Sequence, residues 1–453
     1  MKGFIETIKN IFSIEELRKK LIYTFLLIFI YRIGTYIVLP GVDPNALGDL
    51  AKSGGSGLLG LLDMFVGGSF NRASIFSLGI MPYISASIAV QLLTMAVPYF
   101  QKLQKEGESG RRKINQLTRY LTIGVTILQS VGYITYLRYT AGPAIVIDPF
   151  LFSISTVIVL TAGTIFCMWL GERITDKGIG NGISFIIAVG IVARFPFAIA
   201  AEFNAKTASG GGGLIFFLLE ILFFLAIVVF CIVLTQAVRR IQVQYAKRVV
   251  GNRQTSGSRS FIPIKLNTAG VMPIIFAQAI LFIPSFVAQF MPESEMMQNI
   301  QNNGYVGTFW YEAIYFIIVL AFTYIYTAIM INPTQMADDL KRNGGFIQGV
   351  KPGAETAEYI DGVVSRLTLP GGICLAFIGV LPAIVAGLGV TSQLSGFFGG
   401  TSLLIMVGVL LDTLQQIETH LLNQKYDGLI AGGSRIRGRN AYADTDLEQQ
   451  TTK

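Results

Sequence analysis

Apolar residues in this chain cluster into long continuous runs separated by short polar connections. Ten runs reach the roughly 20 apolar residues that a helix needs to cross the hydrocarbon core of a bilayer. They are Leu21–Leu39, Ser74–Pro98, Leu117–Leu137, Leu151–Gly171, Gly182–Ala201, Leu214–Thr235, Thr268–Phe290, Ala313–Ile331, Leu367–Leu388 and Phe397–Ile417. An eleventh piece, Leu58–Phe70 (LLGLLDMFVGGSF), has about two helical turns of apolar residues between glycines. It is too short to span and sits directly before a run that does. A short apolar helix at membrane depth is tolerated only where it is buried in protein or lines a water-filled cavity. The pattern therefore predicts an all-α membrane protein with something folded into its interior.

The connections orient the runs. With the runs crossing alternately, 29 of the 35 Lys and Arg residues fall on one side and five on the other, with Arg32 inside the first run. Positive residues concentrate on the cytoplasmic side, so both termini are expected there. The stretch Ala205–Gly213 (AKTASGGGG) reads as a flexible connection. Five runs precede it and five follow, so the two halves face opposite ways, the arithmetic of an inverted repeat. The expected organisation is an amphipathic cytoplasmic segment at 1–20, a first half at 21–204 with the short piece at about 57–70, a hinge at 205–213, a second half at 214–420 and a cytoplasmic tail at 421–453.

Composition agrees and narrows the chemistry. The chain has 453 residues, 52% hydrophobic and 14% charged, with a mean hydropathy of +0.58. A soluble domain carries about 25% charged residues. No cleavable signal sequence is visible in Met1–Lys20. The single histidine, His420, makes His-based metal sites and hydrolytic triads poor expectations. Cys167, Cys231 and Cys374 stand alone in apolar runs and read as small core residues. No GxxxxGK[ST] occurs, so a nucleotide-driven activity within the chain is not supported. No enzyme activity, cofactor or metal is expected.

Two long connections stand out. Arg239–Lys265 carries seven basic residues and no acidic one, and its IQVQY alternates like a strand, so a β-hairpin arm is expected. Its charge suits an acidic partner, RNA or anionic lipid. Asn332–Arg366 is similarly long and lies on the same side, which suggests a shared platform of loops at about 237–266 and 332–366.

Five segments, ASIFSLGIMPYISASIAVQLLT (Ala73–Thr94), KEGESGRRK (Lys105–Lys113), GERITDKGIGNGIS (Gly171–Ser184), Asn332–Thr356 and FGGTSLLI (Phe398–Ile405), closely resemble the SecY family of pore-forming protein translocon subunits. The resemblance runs in order from about Leu17 to Tyr426. It implies ten helices in two inverted halves, a clamshell around an hourglass pore. It also implies an activity: passage of unfolded secretory polypeptides across the bacterial inner membrane and sideways release of apolar segments into lipid, driven by a cytoplasmic partner. Matched motif by motif, a constriction ring falls on Ile80, Ile84, Ile187, Ile275 and Ile405, all isoleucine here. The plug matches Leu58, Leu59, Leu61, Leu62, Asp63, Met64 and Phe65. The lateral gate falls on Ser85, Gln91, Asn267 and Ile283, with a Gln91–Asn267 polar pair as a weak closure of the seam. Pro82, between Ile80 and Ile84, is expected to bend its helix.

Docking of the cytoplasmic partner falls on Arg239, Arg240, Lys247, Arg248, Arg253 and Lys351. Lys351 stands where the family usually has Arg, which keeps the charge but loses the bidentate fork; Asn252 leaves one arginine at the tip of the first loop. The partners implied are SecE and SecG as small membrane subunits, the SecA motor ATPase, the ribosome through rRNA at its exit tunnel, SecDF and YidC, signal sequences and nascent polypeptides, and membrane lipids. A ten-helix secondary transporter of a small solute is the competing reading. It asks for ionisable groups near the midplane, and the candidates Asp63, Glu220 and Asp412 do not converge along the sequence. A structural scaffold would need neither the short helix nor the ring.

Overall fold

A computed structural model describes residues 14–44, 63, 66–208, 213–245, 249–250, 253–254, 259–278, 280–281 and 309–433. Helices dominate: α1 (Glu15–Gly34), α2 (Met81–Ala96), α3 (Pro98–Lys105), α4 (Glu108–Ala141), α5 (Pro149–Lys177), α6 (Gly182–Ala208), α7 (Gly213–Gln236), α8 (Phe309–Met330), α9 (Pro333–Arg342), α10 (Ala354–Gly387), α11 (Ser392–Ser395) and α12 (Gly400–Gly433). The backbone is also helical at 272–278 and 280–281. Five strands accompany them: β1 (Val238–Tyr245), β2 (Val249–Val250), β3 (Arg253–Gln254), β4 (Arg259–Lys265) and β5 (Gly345–Phe346).

Seven of the described helices, α4, α5, α6, α7, α8, α10 and α12, are long and apolar enough to cross a membrane, and the pair α2 and α3, bent by 101°, counts as an eighth when the two are taken as one broken span. Of the two other expected spans, Leu21–Leu39 is α1 and Thr268–Phe290 runs past the described residues. Local chemistry sets several starts. Asp148 accepts from the Phe150 N–H and Pro149 opens α5; Asn332 accepts from the Gln335 N–H and Pro333 opens α9. Both pairs supply an acceptor for an orphan donor and a residue whose missing N–H costs nothing at that place.

Two expected spans are shorter as helices than their apolar runs. The first ends at Gly34, and residues 37–39 run extended against 73–75, with Leu39 N–H donating to Ala73 O (2.8 Å) and Ile75 N–H to Ile37 O (2.9 Å). The second becomes helix only at Met81, because residues 66–80 turn back through a series of tight turns. Ser77 Oγ donates to Ser69 O and Ser74 O, and the Tyr133 hydroxyl of α4 donates to Phe70 O (2.7 Å). Pro82 therefore lies in the first turn of α2, where its absent N–H breaks no hydrogen bond. The expected bend at Pro82 is not there.

The apolar core follows the two halves, with α6 and Ile84 of α2 as the exceptions. In the first half, Leu39, Phe70, Leu78, Tyr133, Leu137, Phe152 and Leu160 form one cluster, and Leu27, Tyr31, Phe76, Ile80, Cys167, Leu170, Ile174 and Ile186 another. Here α5 comes close to the 74–80 segment: a Cβ on Gly163 would lie 2.3 Å from Ile75 O, so only glycine fits. The largest cluster joins α7, the 272–281 helix, α8, α10 and α12, but also takes Ile187, Ala188, Ile191 and Ala198 of α6. The last helix of the first half is thus packed into the core of the second.

The two long loops fold together. β1 and β4 pair antiparallel from Val238↔Lys265 to Gln244↔Arg259, the expected hairpin, and β2 pairs with β3 toward its tip. β5, from the other long loop, adds to the far edge of β1 through Gln244↔Phe346 and Tyr245↔Gly345. Below this three-stranded sheet lie Ile241, Val243 and Ile264 against Leu340, Ile347, Ile360 and Val364. That burial explains why α10 begins at Ala354, well before its apolar run: its first turns belong to this small core.

Candidate functional site

The isoleucines matched to the ring come together from separate elements. Ile84 of α2, Ile187 of α6, Ile275 of the 272–281 helix and Ile405 of α12 share one apolar cluster. Ile80 lies in the neighbouring cluster of the first half, and Ile84 packs against both. Ile80 sits at the N-cap of α2 and its carbonyl accepts from the Ile84 N–H (3.0 Å), so the two stand one turn apart.

A hydrogen bond sets the depth of two members. The Thr401 hydroxyl donates to Gln278 Oε1 (3.1 Å). Ile275 precedes Gln278 by three residues and Ile405 follows Thr401 by four. Their spans run in opposite directions, so at 1.5 Å per residue both isoleucines lie to the same side of that bond, by about 4.5 and about 6 Å. The polar pair therefore places two of the isoleucines matched to the ring in one layer.

Of the plug residues, Asp63 is described; Leu58, Leu59, Leu61, Leu62, Met64 and Phe65 lie outside the described residues. Asp63 is buried and forms an ion pair with Arg194 of α6. Its other carboxylate oxygen accepts from the Asn71 N–H (3.0 Å), and its backbone carbonyl accepts from the Gly68 N–H (2.8 Å). Gly68 has φ +90°, and a Cβ there would lie 3.1 Å from Arg194 Nε. Glycine thus serves both the turn and the guanidinium that fills the space beside it.

The gate residues are less united. Ser85 bonds within α2, to Met81 O (3.1 Å). Gln91 Oε1 and Asn267 Oδ1 are both buried and neither accepts a hydrogen bond. The expected Gln91–Asn267 pair is not formed, so no bond between these amides closes the seam. Ile283 lies outside the described residues.

Of the residues matched to partner docking, Arg239 and Arg240 are exposed on β1. Lys351 is exposed and lies 3.4 Å from Glu355. Arg253 lies on β3, and Lys247 and Arg248 fall outside the described residues.

The ionisable groups a small-solute transporter would use are dispersed. Asp63 pairs with Arg194, Glu220 with Lys206 (2.9 Å), and Asp412 is exposed on α12. Among the described residues no three His, Cys, Asp or Glu side chains gather to hold a metal ion. Sequence reasoning missed Arg194, Gln278 and Thr401. The legible signal for Arg194 was a lone charge within an apolar run; nothing in the sequence marks the other two.

Comparison with known proteins is consistent across the chain. The SecY family model matches residues 74–414. The protein translocase subunit SecY of Aquifex aeolicus is 43% identical over 430 residues, covering 94% of this chain and 99% of its own length. That of Streptomyces galbus is 43% identical over 435 residues, covering 92% and 98%. Among solved structures, a protein-conducting channel aligns with a TM-score of 0.60 at 16% identity, over 89% of this chain and 92% of that one. Sec61 in the canine ribosome–channel complex from the endoplasmic reticulum aligns at 0.56 and 16%, over the same shares. At these identities the structural likeness speaks for the fold.

Proposed function

The chain belongs to the SecY family, and from that premise we propose how it works as the protein-conducting channel of a translocase. It is a multi-pass membrane protein. We assign it to the bacterial inner membrane from its bacterial relatives, with both termini cytoplasmic on the strength of the 29-to-five division of basic residues. Unfolded secretory polypeptides pass outward between the halves, and apolar segments leave sideways between α2 and the 272–281 helix. The chain supplies the path and no chemical step; a cytoplasmic motor or ribosome supplies the energy.

The observation that carries this reading is the meeting of Ile84, Ile187, Ile275 and Ile405, from four elements, in one apolar cluster. A constriction lined by aliphatic side chains dewets, so ions must shed their hydration to cross it. The same side chains adapt around a polypeptide without selecting any one residue type. Asp63 and Arg194 support a plug tied to the first half in the idle state. The Gly-rich 205–213 connection joins the halves, and the sheet β4-β1-β5 with its exposed Arg239 and Arg240, together with Lys351 in the connection from β5 to α10, is the docking platform for SecA or the ribosome. SecE and SecG are the expected membrane companions; SecDF and YidC are further candidates. The solved Sec61 relative, in its ribosome–channel complex, supports the ribosome as a partner.

The test is reconstitution in liposomes with the companion subunits and a motor. Entry of a signal-bearing polypeptide into the lumen, with idle vesicles tight to small ions, is the expected result. Vesicles that move a small solute and no polypeptide would overturn the reading.

A further inference from the structure

Arg32 falls inside the first expected span, where a charge is costly unless something pairs with it. The exposed stripe of α1, which meets lipid in a membrane, runs through Ile22, Phe25, Phe29 and Ile33, and exposed Tyr36 continues it just past the helix end. Three bonds fix that end. Thr35 Oγ1 donates to Arg32 O (2.6 Å), the Thr35 N–H to Tyr31 O (3.2 Å) and the Tyr36 N–H to Ile33 O (3.0 Å). Tyr36 stands 16 residues beyond Lys20. At helical rise that is about 24 Å, which brings it close to the outer edge of a core about 30 Å thick. Tyrosine suits that depth, with its ring in the apolar layer and its hydroxyl among the headgroups.

Two guanidiniums lie over this one ring. Arg32 Cζ is 5.7 Å from the ring centroid, and Cζ of Arg72, from the turns between Asp63 and α2, is 4.5 Å from it. An aromatic face attracts a cation but does not neutralise it. Neither arginine pairs with a carboxylate among the described residues, and Asp63, the buried acid of the same segment, is taken by Arg194. In each arginine Nη1 is buried and has no hydrogen-bond partner. Residue 67 is glycine where Arg32 needs the room: a Cβ there would lie 2.8 Å from its Nη1.

Fixed positive charges with unsatisfied N–H groups call for an anion with several acceptor oxygens. The place selects the anion. The pair stands near headgroup level on a face of α1 that meets lipid, so the anion at hand is a phospholipid phosphodiester. Its two free oxygens can serve one guanidinium each, and its acyl chains can lie along Phe29 and Ile33. The long arginine stems carry the charge of residue 32 up toward that level. A headgroup with its own ammonium would add a third cation, so an anionic headgroup is favoured.

We propose that Arg32, Arg72 and Tyr36 form a binding site for the phosphate of an anionic phospholipid at the outer boundary of the membrane. One phosphate there bridges α1 to the turns that lead into α2. The site rests on the lipid exposure of α1; the orientation given in the preceding section decides only which leaflet supplies the lipid, and passage of polypeptide is not needed for it.

The experiment uses the full chain with tryptophan-free companion subunits in phosphatidylcholine vesicles. Trp169→Phe, Trp310→Phe and Tyr36→Trp leave one indole, at position 36, and an indole face holds a cation at least as well as a phenol. Dibrominated phosphatidylglycerol should quench that indole roughly tenfold more effectively, lipid for lipid, than dibrominated phosphatidylcholine. In Arg32→Gln/Arg72→Gln on the same background the preference should disappear. Equal quenching by the two brominated lipids with both arginines present overturns the proposal, and that comparison requires no arginine variant to fold. A preference that survives Arg32→Gln/Arg72→Gln overturns the assignment to these residues. Inorganic phosphate, exchanged for chloride at matched ionic strength, should leave the quenching unchanged; relief of quenching means that the site takes the free ion, and overturns the lipid. Quenching by neither lipid means that a protein surface covers position 36, and overturns the site as well.

Discussion

Asp63 and Arg194 form a buried ion pair that fastens the segment before α2 to α6. Removing one partner of a buried pair costs about 3–5 kcal/mol, since the other charge is left unpaired. Arg194 keeps 32% of its side chain exposed, which places this pair at the low end of that range. Asp63→Asn should therefore lower the closed-to-open ratio of the plug by about two orders of magnitude and raise the ion conductance of idle vesicles. The exchanged pair Asp63→Arg/Arg194→Asp should restore a tight channel. Equal leak in the single and exchanged variants would show that the ion pair does not hold the plug.

The ring is tested by polarity at constant backbone. Ser in place of Ile80, Ile187 and Ile275 together lets water into the constriction, and the dewetting barrier falls. Idle vesicles should then pass small ions, measured as single-channel conductance in planar bilayers, while export of a signal-bearing polypeptide persists. Conductance equal to that of the unchanged channel would separate these isoleucines from the barrier.

The Thr401–Gln278 bond makes a separable claim about register. Thr401→Val takes the Thr401 donor away from the half-buried Gln278 Oε1, a loss of about 0.5–1.5 kcal/mol. Gln278→Leu together with Thr401→Val removes both polar groups and should recover most of that stability. Register is a different quantity: with the bond gone, Ile275 and Ile405 are free to slip in depth, so the double variant should be stable and still leak more than wild type. Thermal unfolding and idle conductance, measured on the same samples, separate the two effects.

Much of the architecture was legible because membrane depth imposes a strong pattern. Backbone groups in lipid must be satisfied internally, so each spanning helix leaves a long apolar run. The β1–β4 hairpin was legible for a similar reason, from the alternation in Ile241–Tyr245. The boundaries of α1 and α2 were not. Residues 37–39 and 74–80 are as apolar as a helix, and it is their backbone bonds to each other, with Ser69, Ser77 and Tyr133, that draw them out of it. Composition does not encode that pairing. The same holds for Pro82, whose effect depends on whether it falls inside a helix or at its start. In the site, the five isoleucines were found by resemblance, since a buried isoleucine carries no chemical mark of its own. Arg194 and Gln278 gain their meaning from partners 131 and 123 positions away, distances at which one sequence holds no readable signal.

The proposed docking platform predicts a salt signature. Arg239 and Arg240 are exposed and belong to no core, so Arg239→Glu/Arg240→Glu should leave thermal stability unchanged. Reversing two exposed charges removes long-range attraction to a polyanion, a term that falls with ionic strength. Ribosome binding should weaken by about tenfold or more at low salt and approach wild type as salt rises. Ile241→Asp acts by another route. It places a charge in the small core that joins β1 to Leu340, Ile347 and Ile360, where burial without a partner is costly. Binding should then fall at every salt concentration, with loss of protease resistance in both cytoplasmic loops at once, since one core holds them. The slope of affinity against salt tells these apart: steep for wild type, shallower for the charge reversal, and wild-type-like but displaced for Ile241→Asp. A charge reversal that leaves the slope unchanged would mean that Arg239 and Arg240 serve only to hold the loop on the cytoplasmic side.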